Sequence, residues 1–362
     1  MADVTQQYPE GSFRDPGPLA ETPGVSYVMP VLNEAVHLAE AVRAVLDQRY
    51  AGEQELVLAL GASTDGTSAI AAELAAADPR VRLVDNPRSD IPVGLNLAIR
   101  ASRHPVVIRV DAHAELPDDY TAVAVETLRR SRAANVGGVM VARGRTPFQR
   151  AVARAYNSPF GLGGGVYHHG EAESPADSAY LGVFRREVLQ EVGRYDESLK
   201  RAEDWELNQR IRAAGYLVLF TPHLKVTYWP RASLDALRRQ MYATGVWRGH
   251  LVRRQGRTPL RYLPPPVVAA LMALSLVVGL LQGAGLVRGT PGRVASLAHA
   301  GVLAYLAGVT AVSFTRVGGT TLTDRLLNVV VLGTMHVSWG AGFIKGVACG
   351  AQGTVDRSRV TA

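Results

Sequence analysis

The hydrophobic and polar positions of this chain first follow the pattern of an α/β fold. From residue 25 to about residue 227, short apolar runs alternate with amphipathic stretches. Runs typical of strands stand at 25–31, 55–61, 81–86 and 106–111. Stretches typical of helices stand at 34–48, 67–78 and around 93–102. This order predicts a largely parallel sheet with covering helices. Ligands of such sheets gather at the carboxyl ends of the strands, so we expect functional residues directly after the apolar runs.

The last part of the chain is apolar in a different way. Three runs, at 264–287, 294–314 and 326–344, are almost free of charged residues. Each has about 20 residues, enough to cross the hydrocarbon core of a bilayer as a helix. Buried core helices are the alternative, but a helix that is apolar all round needs lipid or a large protein shell about it. We therefore predict three membrane spans, while Asn328 and His336 leave open that the third lies in the membrane interface.

A segment rich in arginine, residues 231–262, comes directly before the first apolar run. Basic residues beside a span tend to stay on the cytoplasmic side, so this placement predicts a cytoplasmic α/β domain. Within the segment, residues 234–251 alternate apolar and arginine positions. That pattern predicts an amphipathic helix lying on the membrane, with Tyr242 and Trp247 as interfacial anchors.

The overall charge agrees with a membrane surface. The chain has 362 residues, with 39 Lys and Arg against 32 Asp and Glu and a formal charge of +7. Such a balance suits nucleic acid or an anionic lipid surface. The arginines lie beside the apolar runs and no nucleic-acid motif accompanies them, so we expect a lipid bilayer and no nucleic acid as partner. The single cysteine excludes an intramolecular disulfide and a zinc finger.

These patterns divide the chain into five segments. Residues 1–24 contain no apolar core segment, so no secretory signal is visible there and we expect a flexible tail. The other segments are an α/β domain at 25–230, the arginine-rich interfacial segment at 231–262, transmembrane helices at 263–348 and a tail at 349–362. The sequence leaves the oligomeric state open.

One apolar run, VVIRVD, is followed by a possible metal motif. Asp111 ends the run and His113 stands two residues later, so both can point into the crevice at the edge of the sheet. A carboxylate oxygen and an imidazole nitrogen can hold a divalent cation, and that cation can bind a diphosphate. The triplet alone leaves two interpretations open: metal ligands, or a helix-capping aspartate beside a histidine that only packs.

Three further stretches are rich in glycine, hydroxyl or acidic residues. In GASTDGTS, residues 61–68, a strand turns into a helix and leaves backbone N–H groups for an anion. The stretch lacks the lysine of a Walker A loop, which argues against a P-loop NTPase. The glycine-rich residues 161–166 follow no clear strand, so we do not expect a dinucleotide fingerprint there. Glu203, Asp204 and Glu206 begin an amphipathic helix, where they either favour its N-terminus or supply a general base.

Four motifs now stand in a recognisable order. They are VMPVLNE at 28–34, STDGT at 63–67, VDAH at 110–113, and YDES at 195–198 followed by AEDWELNQRIRAAGY at 202–216. In order and spacing they resemble the family 2 glycosyltransferases from about residue 25 to residue 247. The Asp-Ala-His form of the metal motif and the YLGVFRRE stretch are most similar to the membrane-attached, succinoglycan-type branch. The resemblance implies a GT-A domain, a nucleotide-diphospho-sugar transferase domain with a Rossmann-like, mostly parallel sheet, followed by a helical transmembrane region.

The resemblance also implies which residues meet the donor, a nucleotide-diphosphate sugar. The residues on the donor side are Pro30, Asn33, Glu34, Asp65, Asn96 and Asp111, with Asn96 in a loop that approaches the donor. Asp111 and His113 are implied as ligands of a divalent cation, Mn²⁺ or Mg²⁺. Because an imidazole replaces the more usual carboxylate, we expect His113 to shift the preference toward Mn²⁺.

On the acceptor side, the resemblance implies a general base. Asp204, paired with Glu203, is expected to take the proton from the acceptor hydroxyl. Asp177 and Trp205 are expected to face the acceptor.

Two departures from the family pattern limit what the resemblance implies. Leu60, Gly61 and Ala62 stand where members commonly carry acids, which leaves the identity of the donor open. In QMYATGVW, residues 240–247, Ala243 stands where processive synthases carry an arginine. That substitution argues against a synthase that threads a long polymer.

The implied activity is that of an inverting, metal-dependent glycosyltransferase. The acceptor is expected to be a hydroxyl of a lipid-linked or cell-envelope or exopolysaccharide glycan, and the site the cytoplasmic face of the cell membrane. An enzyme that charges a polyprenyl phosphate is one alternative, for which a base such as Asp204 would be dispensable. A non-catalytic membrane scaffold with the same fold is another, suggested by Leu60 and Gly61. The Glu-Asp pair favours a hydroxyl acceptor, and the presence of Asp65 and Asp111 favours catalysis.

Overall fold

The computed structural model of the protein describes residues 12–161, 165–256 and 258–354. The chain forms two compact units, Met1–Val141 with Gly165–Tyr228, and Ala142–Gly164 with Trp229–Ala362. The boundary at Trp229 lies close to the predicted one at residue 230, but the second unit also takes residues 142–164, which the sequence pattern did not indicate. Parts of the predicted tails and of the glycine-rich stretch lie outside the described residues.

The first unit contains a mixed sheet. Its strands are β1 Val25–Val31, β2 Gln54–Leu60, β3 Val81–Asp85, β4 Val106–Arg109, β5 Asn135–Ala142, β6 Ser174–Pro175, β7 Tyr180–Arg185 and β8 Val218–Tyr228. Their order across the sheet is β3-β2-β1-β4-β7-β5-β8-β6. β1 pairs in parallel with β2 and β4, and β2 with β3. β7 is antiparallel to β4 and β5, and β6 to β8. The predicted parallel pairing is confirmed for β1 to β4, and the rest of the sheet adds antiparallel pairs.

The helices are numbered along the chain. They are α1 Leu38–Leu46, α2 Thr67–Ala77, α3 Ile91–Ala101, α4 Tyr120–Ser131, α5 Pro147–Tyr156, α6 Val166–His169, α7 Arg186–Glu191, α8 Glu203–Ala213, α9 Leu234–Gln255, α10 Pro264–Gly283, α11 Gly289–Ala295, α12 Leu297–Thr315 and α13 Leu322–Cys349. Helices α5 and α9 to α13 belong to the second unit, and the others belong to the first.

Both faces of the central parallel strands, β1, β2 and β4, are buried. Along β1, Tyr27 and Met29 enter one hydrophobic cluster, and Val28 enters a second cluster on the opposite face. Successive side chains of a strand point to opposite faces, so a sheet covered on both sides needs apolar residues at every position. This is why the parallel strands could be read from the sequence as continuous apolar runs.

A buried carboxylate lies within this sheet at Glu55, which is 2% exposed. It accepts hydrogen bonds from Ser26 Oγ at 2.7 Å and from the Arg103 backbone N–H at 2.6 Å. The guanidinium groups of Arg82 and Arg103 each lie 3.2 Å from its second oxygen. Burial alone would raise the pKa of Glu55, but these hydrogen bonds outweigh it and hold the pKa below its ordinary value. The carboxylate is therefore ionised and contributes to stability at neutral pH.

In the part of the chain that the structure describes, three helical stretches of the second unit are long and apolar enough to cross a membrane. They are Leu260–Gly283, Gly289–Thr315 and Leu322–Cys349, with mean hydropathies of 2.1, 1.6 and 1.4. Leu276 and Leu280 of α10 are 66% and 65% exposed. Such a large exposed apolar surface is typical of helices that face lipid. The three predicted runs therefore correspond to three candidate spans.

The polar residues of the third run have partners within the second unit. Asn328 accepts a hydrogen bond from Arg154 Nε at 3.0 Å and donates to the Gly318 carbonyl at 2.8 Å. The two nitrogens of His336 lie 3.1 Å from the Tyr305 hydroxyl and 2.7 Å from the Phe160 carbonyl. Buried polar groups cost little free energy when they are hydrogen-bonded, so neither residue prevents α13 from spanning a membrane.

Helix α9 packs closely against α13 through glycines. A Cβ atom on Gly245 of α9 would lie 2.0 Å from the Trp339 carbonyl oxygen, and one on Gly346 of α13 would lie 2.1 Å from the Val246 carbonyl oxygen. Real Cβ atoms do not come so close, so the two backbones can approach only because these residues are glycines.

The prediction that Trp247 anchors α9 at the membrane interface is wrong. Trp247 is 6% exposed, and its Nε1 donates a hydrogen bond to the Thr354 carbonyl at 3.2 Å. The predicted amphipathic helix is present, but its apolar side chains pack inside the second unit. Tyr242 remains at the surface, with 37% exposure.

Candidate active site

The carboxyl ends of β1, β2 and β4 lie side by side, as the sequence predicted for the donor side. Pro30 lies near the end of β1, beyond the last pair that β1 forms with β4, which joins Val28 to Arg109. A proline at this position therefore removes no hydrogen bond from that pairing. The loops that follow these strand ends contain most of the predicted site residues.

The loop after β1 is tied to the turn after β2. Asn33 has φ 54°, in the left-handed region that asparagine tolerates. Its Oδ1 accepts a hydrogen bond from the Thr64 N–H at 2.8 Å, and its own N–H donates to Ser63 Oγ at 3.0 Å. The Glu34 N–H donates to Thr67 Oγ1 at 2.9 Å. Hydrogen bonds therefore hold the motifs VMPVLNE and STDGT together.

Asp65 uses both carboxylate oxygens within this unit. Oδ1 accepts from the Thr67 hydroxyl at 2.5 Å and from the Thr67 N–H at 3.1 Å, and Oδ2 accepts from the Ala35 N–H at 3.1 Å. These bonds, that of the Thr67 hydroxyl above all, lower the pKa of Asp65. Asp65 thus holds the two loops in place at the edge of the site.

The prediction that the turn leaves its N–H groups free for an anion is wrong for most of them. The N–H groups of Ala62, Ser63, Thr64 and Thr67 donate to Ser89 Oγ, the Gly61 carbonyl, Asn33 Oδ1 and Asp65 Oδ1. These N–H groups are therefore already bonded to acceptors within the protein.

Arg109 ends β4 and places its guanidinium among three carboxylates. Its side chain is 7% exposed. Nε and Nη2 each lie 3.3 Å from Asp111 Oδ1, and Nη1 lies 3.2 Å from Glu203 Oε1 and 2.5 Å from Asp204 Oδ1. Arg109 shares a sheet face with Val107, which belongs to the hydrophobic cluster that α8 also enters. One side chain therefore joins the VDAH motif to the AEDWE motif.

The two acids at the start of α8 differ in access. Glu203 is 7% exposed and points toward Arg109. Asp204 keeps 28% of its side chain exposed, and within the described residues no group donates a hydrogen bond to its Oδ2. The helix N-terminus favours both negative charges. Asp204 thus has one oxygen held in place and one oxygen open to a ligand.

The charges in this cluster shift each other's proton affinity. Burial raises the pKa of Asp204 to about 7, against the attraction of the Arg109 guanidinium, and the charges of Glu203 and Asp111 add to the rise. Burial tends to lower the pKa of Arg109, but the attraction of Asp204 and Asp111 holds it well above its ordinary value. Arg109 therefore stays charged, while Asp204 can exchange a proton near neutral pH, as a general base must.

His113 lies in the loop after β4, with Nδ1 at 3.0 Å from Glu34 Oε1. In the described ranges, no group of three or more His, Cys, Asp or Glu side chains could hold a metal ion by itself. Asp111 and His113 offer one carboxylate and one imidazole, and a hard divalent cation needs further oxygen ligands. These two residues therefore fit a cation that is shared with a diphosphate, but not a permanently bound structural metal.

The placement of Asn96 corrects a prediction. It lies inside α3 and not in a loop, and it is 3% exposed. Its Oδ1 accepts from the Tyr195 N–H at 3.0 Å, and its Nδ2 donates to the Tyr195 carbonyl at 2.9 Å and to Glu197 Oε1 at 3.0 Å. Asn96 therefore fixes the YDES stretch beside the sheet, which is a structural role.

The residues expected on the acceptor side lie in two places. Asp177 is half-buried between β6 and β7, and Trp205 lies in the first turn of α8 with 8% exposure. Acceptor contacts for both stay predictions.

Arg109 is the residue that the sequence interpretation missed. A signal was present, because Arg109 is a charged residue inside the apolar run VVIRVD. A guanidinium at such a position is buried, and a buried charge requires partners of opposite charge.

The sequence is similar to a known protein family and to a known protein. Residues 26–193 match the family model described as Glycosyl transferase family 2. The chain is 35% identical over 245 residues to the succinoglycan biosynthesis protein ExoA of Rhizobium meliloti (strain 1021), covering 67% of this chain and 74% of that protein.

Among solved structures, the fold is similar to that of the mannosyltransferase PcManGT from Pyrobaculum calidifontis, in complex with GDP-Man and Mn²⁺. The TM-score is 0.60 at 21% identity, covering 90% of this chain and 87% of that chain. This likeness confirms the predicted GT-A fold. From the family match and the identity to the succinoglycan protein, we conclude that the chain belongs to glycosyl transferase family 2 and is a glycosyltransferase.

Proposed function

We propose that this enzyme transfers a sugar, with inversion, from a nucleotide-diphosphate sugar to a hydroxyl group of a lipid-linked or other cell-envelope glycan. The observation that carries the proposal is the pair of hydrogen bonds by which Arg109 links Asp111 to Asp204. Through these bonds, Arg109 restricts the distance between Asp111, on the candidate diphosphate side, and Asp204, the candidate base. The reacting sugar would bind between them.

Asp204 is the group placed to accept the proton. Its Oδ1 is held by Arg109, so the carboxylate cannot rotate freely, and Oδ2 is the oxygen left to accept the proton. As Oδ2 takes the proton of the acceptor hydroxyl, the acceptor oxygen attacks the anomeric carbon. The bond from that carbon to the diphosphate oxygen breaks, and the diphosphate leaves with the electron pair. A single displacement of this kind inverts the anomeric carbon.

The leaving group gains negative charge during this step. Asp111 and His113 would hold a divalent cation, Mn²⁺ or Mg²⁺, which when bound supplies the positive charge that stabilises the departing diphosphate. Arg109 holds Asp111 Oδ1 by hydrogen bonds and so restricts the orientation of this carboxylate. The loop that contains Asn33 and Glu34 is fixed by the STDGT turn, which supports its proposed role beside the nucleotide.

The membrane part of the proposal rests on the second unit. Three apolar helices and an arginine-rich segment before them support a multi-pass protein whose catalytic unit is cytoplasmic. A protease added to intact spheroplasts should then leave the catalytic unit uncleaved, whereas in inside-out vesicles it should cleave it. Equal cleavage in both preparations would contradict this orientation.

The deciding experiment for the chemistry is the Asp204→Asn variant. General-base catalysis contributes about 10² to 10⁴ in rate. We expect kcat to fall within that range while the KM for the donor changes little, because the base acts only in the transition state. Asp118→Asn, a change at an exposed acid, is the matched control and should retain activity. Transfer at a near wild-type rate by Asp204→Asn would refute the assignment, and if the acceptor in that assay is a polyprenyl phosphate it would support the alternative acceptor.

Donor and cation can be tested without an acceptor. A panel of nucleotide sugars, each with Mn²⁺ or Mg²⁺, is scored by thermal shift, since a ligand of the native state stabilises it. Asp111→Ala should abolish the dependence of donor binding on the cation. Unaltered titration curves for this variant would count against the metal site.

A further inference from the structure

The hydrogen bond between Glu34 and His113 joins two motifs that stand 79 positions apart. His113 Nδ1 lies 3.0 Å from Glu34 Oε1, and both side chains are partly exposed, 25% and 18%. Among the described residues, no other group hydrogen-bonds to the His113 ring. The orientation of this ring therefore depends on Glu34.

Glu34 is itself firmly placed. Its N–H donates to Thr67 Oγ1 at 2.9 Å, and its carbonyl accepts from the N–H groups of His37 and Leu38 at 3.0 and 2.8 Å, where α1 begins. The carboxylate therefore extends from a backbone that is fixed on both sides. It is positioned to hold the His113 ring in one orientation.

We infer that Glu34 holds His113 as the Nδ1–H tautomer, so that Nε2 is the atom presented to a divalent cation. An ionised carboxylate only accepts hydrogen bonds, so the nitrogen that faces it must carry a proton. A neutral imidazole has one N–H, and the other nitrogen then has its lone pair free for a metal. The inference rests on the proposed metal role of His113. It makes Glu34 a positioning residue, whereas the sequence placed it beside the nucleotide.

The arrangement has a chemical consequence for metal affinity. A carboxylate behind a ligating histidine raises the basicity of the imidazole and fixes the ring, and removal of such a partner costs about 10- to 100-fold in metal affinity. In Glu34→Gln, the amide can donate as well as accept, so the carboxylate's preference for one tautomer is lost.

The first test measures the binding of Mn²⁺ alone to the full-length protein in detergent, by electron paramagnetic resonance of the free ion. We expect Glu34→Gln to weaken binding about 10- to 100-fold, toward the affinity of His113→Ala. Glu40→Gln makes the same change at an exposed acid on α1 and should bind as the wild type does. Unchanged affinity in Glu34→Gln, with binding lost in Asp111→Ala, would overturn the inference and leave the proposed metal site intact. Unchanged affinity in Asp111→Ala as well would refute the metal site itself.

The second test needs no variant at the tautomer-setting residue. Two-bond proton–nitrogen spectra of ¹⁵N-histidine-labelled wild-type protein report which ring nitrogen carries the proton, and His113→Ala assigns the signal. We expect an Nδ1–H tautomer for His113 in metal-free protein and a loss of the free Nε2 signal on Mn²⁺ addition. A spectrum with the proton on Nε2 would overturn the inference.

Discussion

Replacing Arg109 tests whether its guanidinium stabilises the acids at the site. The charge lies against Asp111, Glu203 and Asp204 with 7% of its side chain exposed. At an effective dielectric constant of about 20, two unit charges about 4 Å apart attract by about 4 kcal/mol. The cost of burying the charges offsets part of that attraction, and removing one partner of a buried pair costs about 3–5 kcal/mol. We therefore expect Arg109→Met to lower the free energy of unfolding by about 3–5 kcal/mol at neutral pH.

Such a loss is measurable as a change in thermal stability. For a unit of about 150 to 250 residues, 1 kcal/mol lowers Tm by about 2–4 °C, so Arg109→Met should melt about 6–20 °C below the wild type. Arg103→Met is the matched control. Arg103 is also paired with a buried carboxylate, but its own side chain is 68% exposed, and the cost of its loss should be within about 1 kcal/mol.

The deficit should also depend on pH with a definite sign. Without the guanidinium, Asp204 loses the attraction that opposes the rise in its pKa, so its pKa in the folded state lies further above that in the unfolded chain. Such groups favour the folded state when they are protonated, so the deficit of Arg109→Met should shrink as the pH falls from 7 to 5. A deficit that stays constant over this range would show that charge is not the cause.

Activity separates the charge of Arg109 from its geometry. In Arg109→Lys the charge remains, but an ammonium group cannot reproduce the fork that reaches three carboxylates. We expect Arg109→Lys to recover part of the stability while kcat stays at least about 10²-fold low, because a base displaced by about 1 Å loses that much. Wild-type Tm in Arg109→Met together with wild-type kcat in Arg109→Lys would refute the reasoning.

Three further predictions follow from individual contacts. The pKa of Asp204 is raised to about 7, and a general base must be ionised to act. We therefore expect kcat/KM to rise with pH and to level off above about 7. A pH–rate profile without this rise would contradict the assignment of Asp204 as the base. Glu55→Gln should cost about 1.5–3 kcal/mol of unfolding free energy at pH 7. Since the folded pKa of Glu55 is depressed, the difference from wild type should begin to shrink as the pH falls below the unfolded pKa and should be lost only below the folded pKa. A constant difference in denaturant titrations would count against this account. Gly346→Ala places a Cβ 2.1 Å from a carbonyl oxygen and should lower Tm. Gly333→Ala on the same helix is the control, because its Cβ meets nothing within 4 Å, and it should leave Tm unchanged. Equal Tm values for the two variants would rule out the close helix contact.

The sequence by itself determined the local elements of the parallel half and the position of its motifs. Strands covered on both faces need apolar residues throughout, so β1, β2 and β4 could be read as uninterrupted runs. Their carboxyl ends share one edge, and this rule alone predicts that Asn33, Asp65 and Asp111 lie near each other. Uninterrupted apolarity over about 20 residues likewise indicated the candidate spans, since length and composition are local properties.

Only the tertiary structure decided which of these residues touch. Arg109 meets Asp204 across 95 positions because β4 and the start of α8 contribute to the same face of the sheet, and no local pattern encodes that distance. In the same way, the order of β1 and β4 in the sheet brings Glu34 to His113, a contact that the local pattern does not encode, while its place beside the nucleotide stays a prediction. The burial of Trp247 is another feature that the local pattern does not encode. An amphipathic pattern shows that a helix has an apolar face, but not whether protein or lipid covers that face. In α9 the glycines at the contact with α13 allow the two helices to pack closely, so protein covers the face.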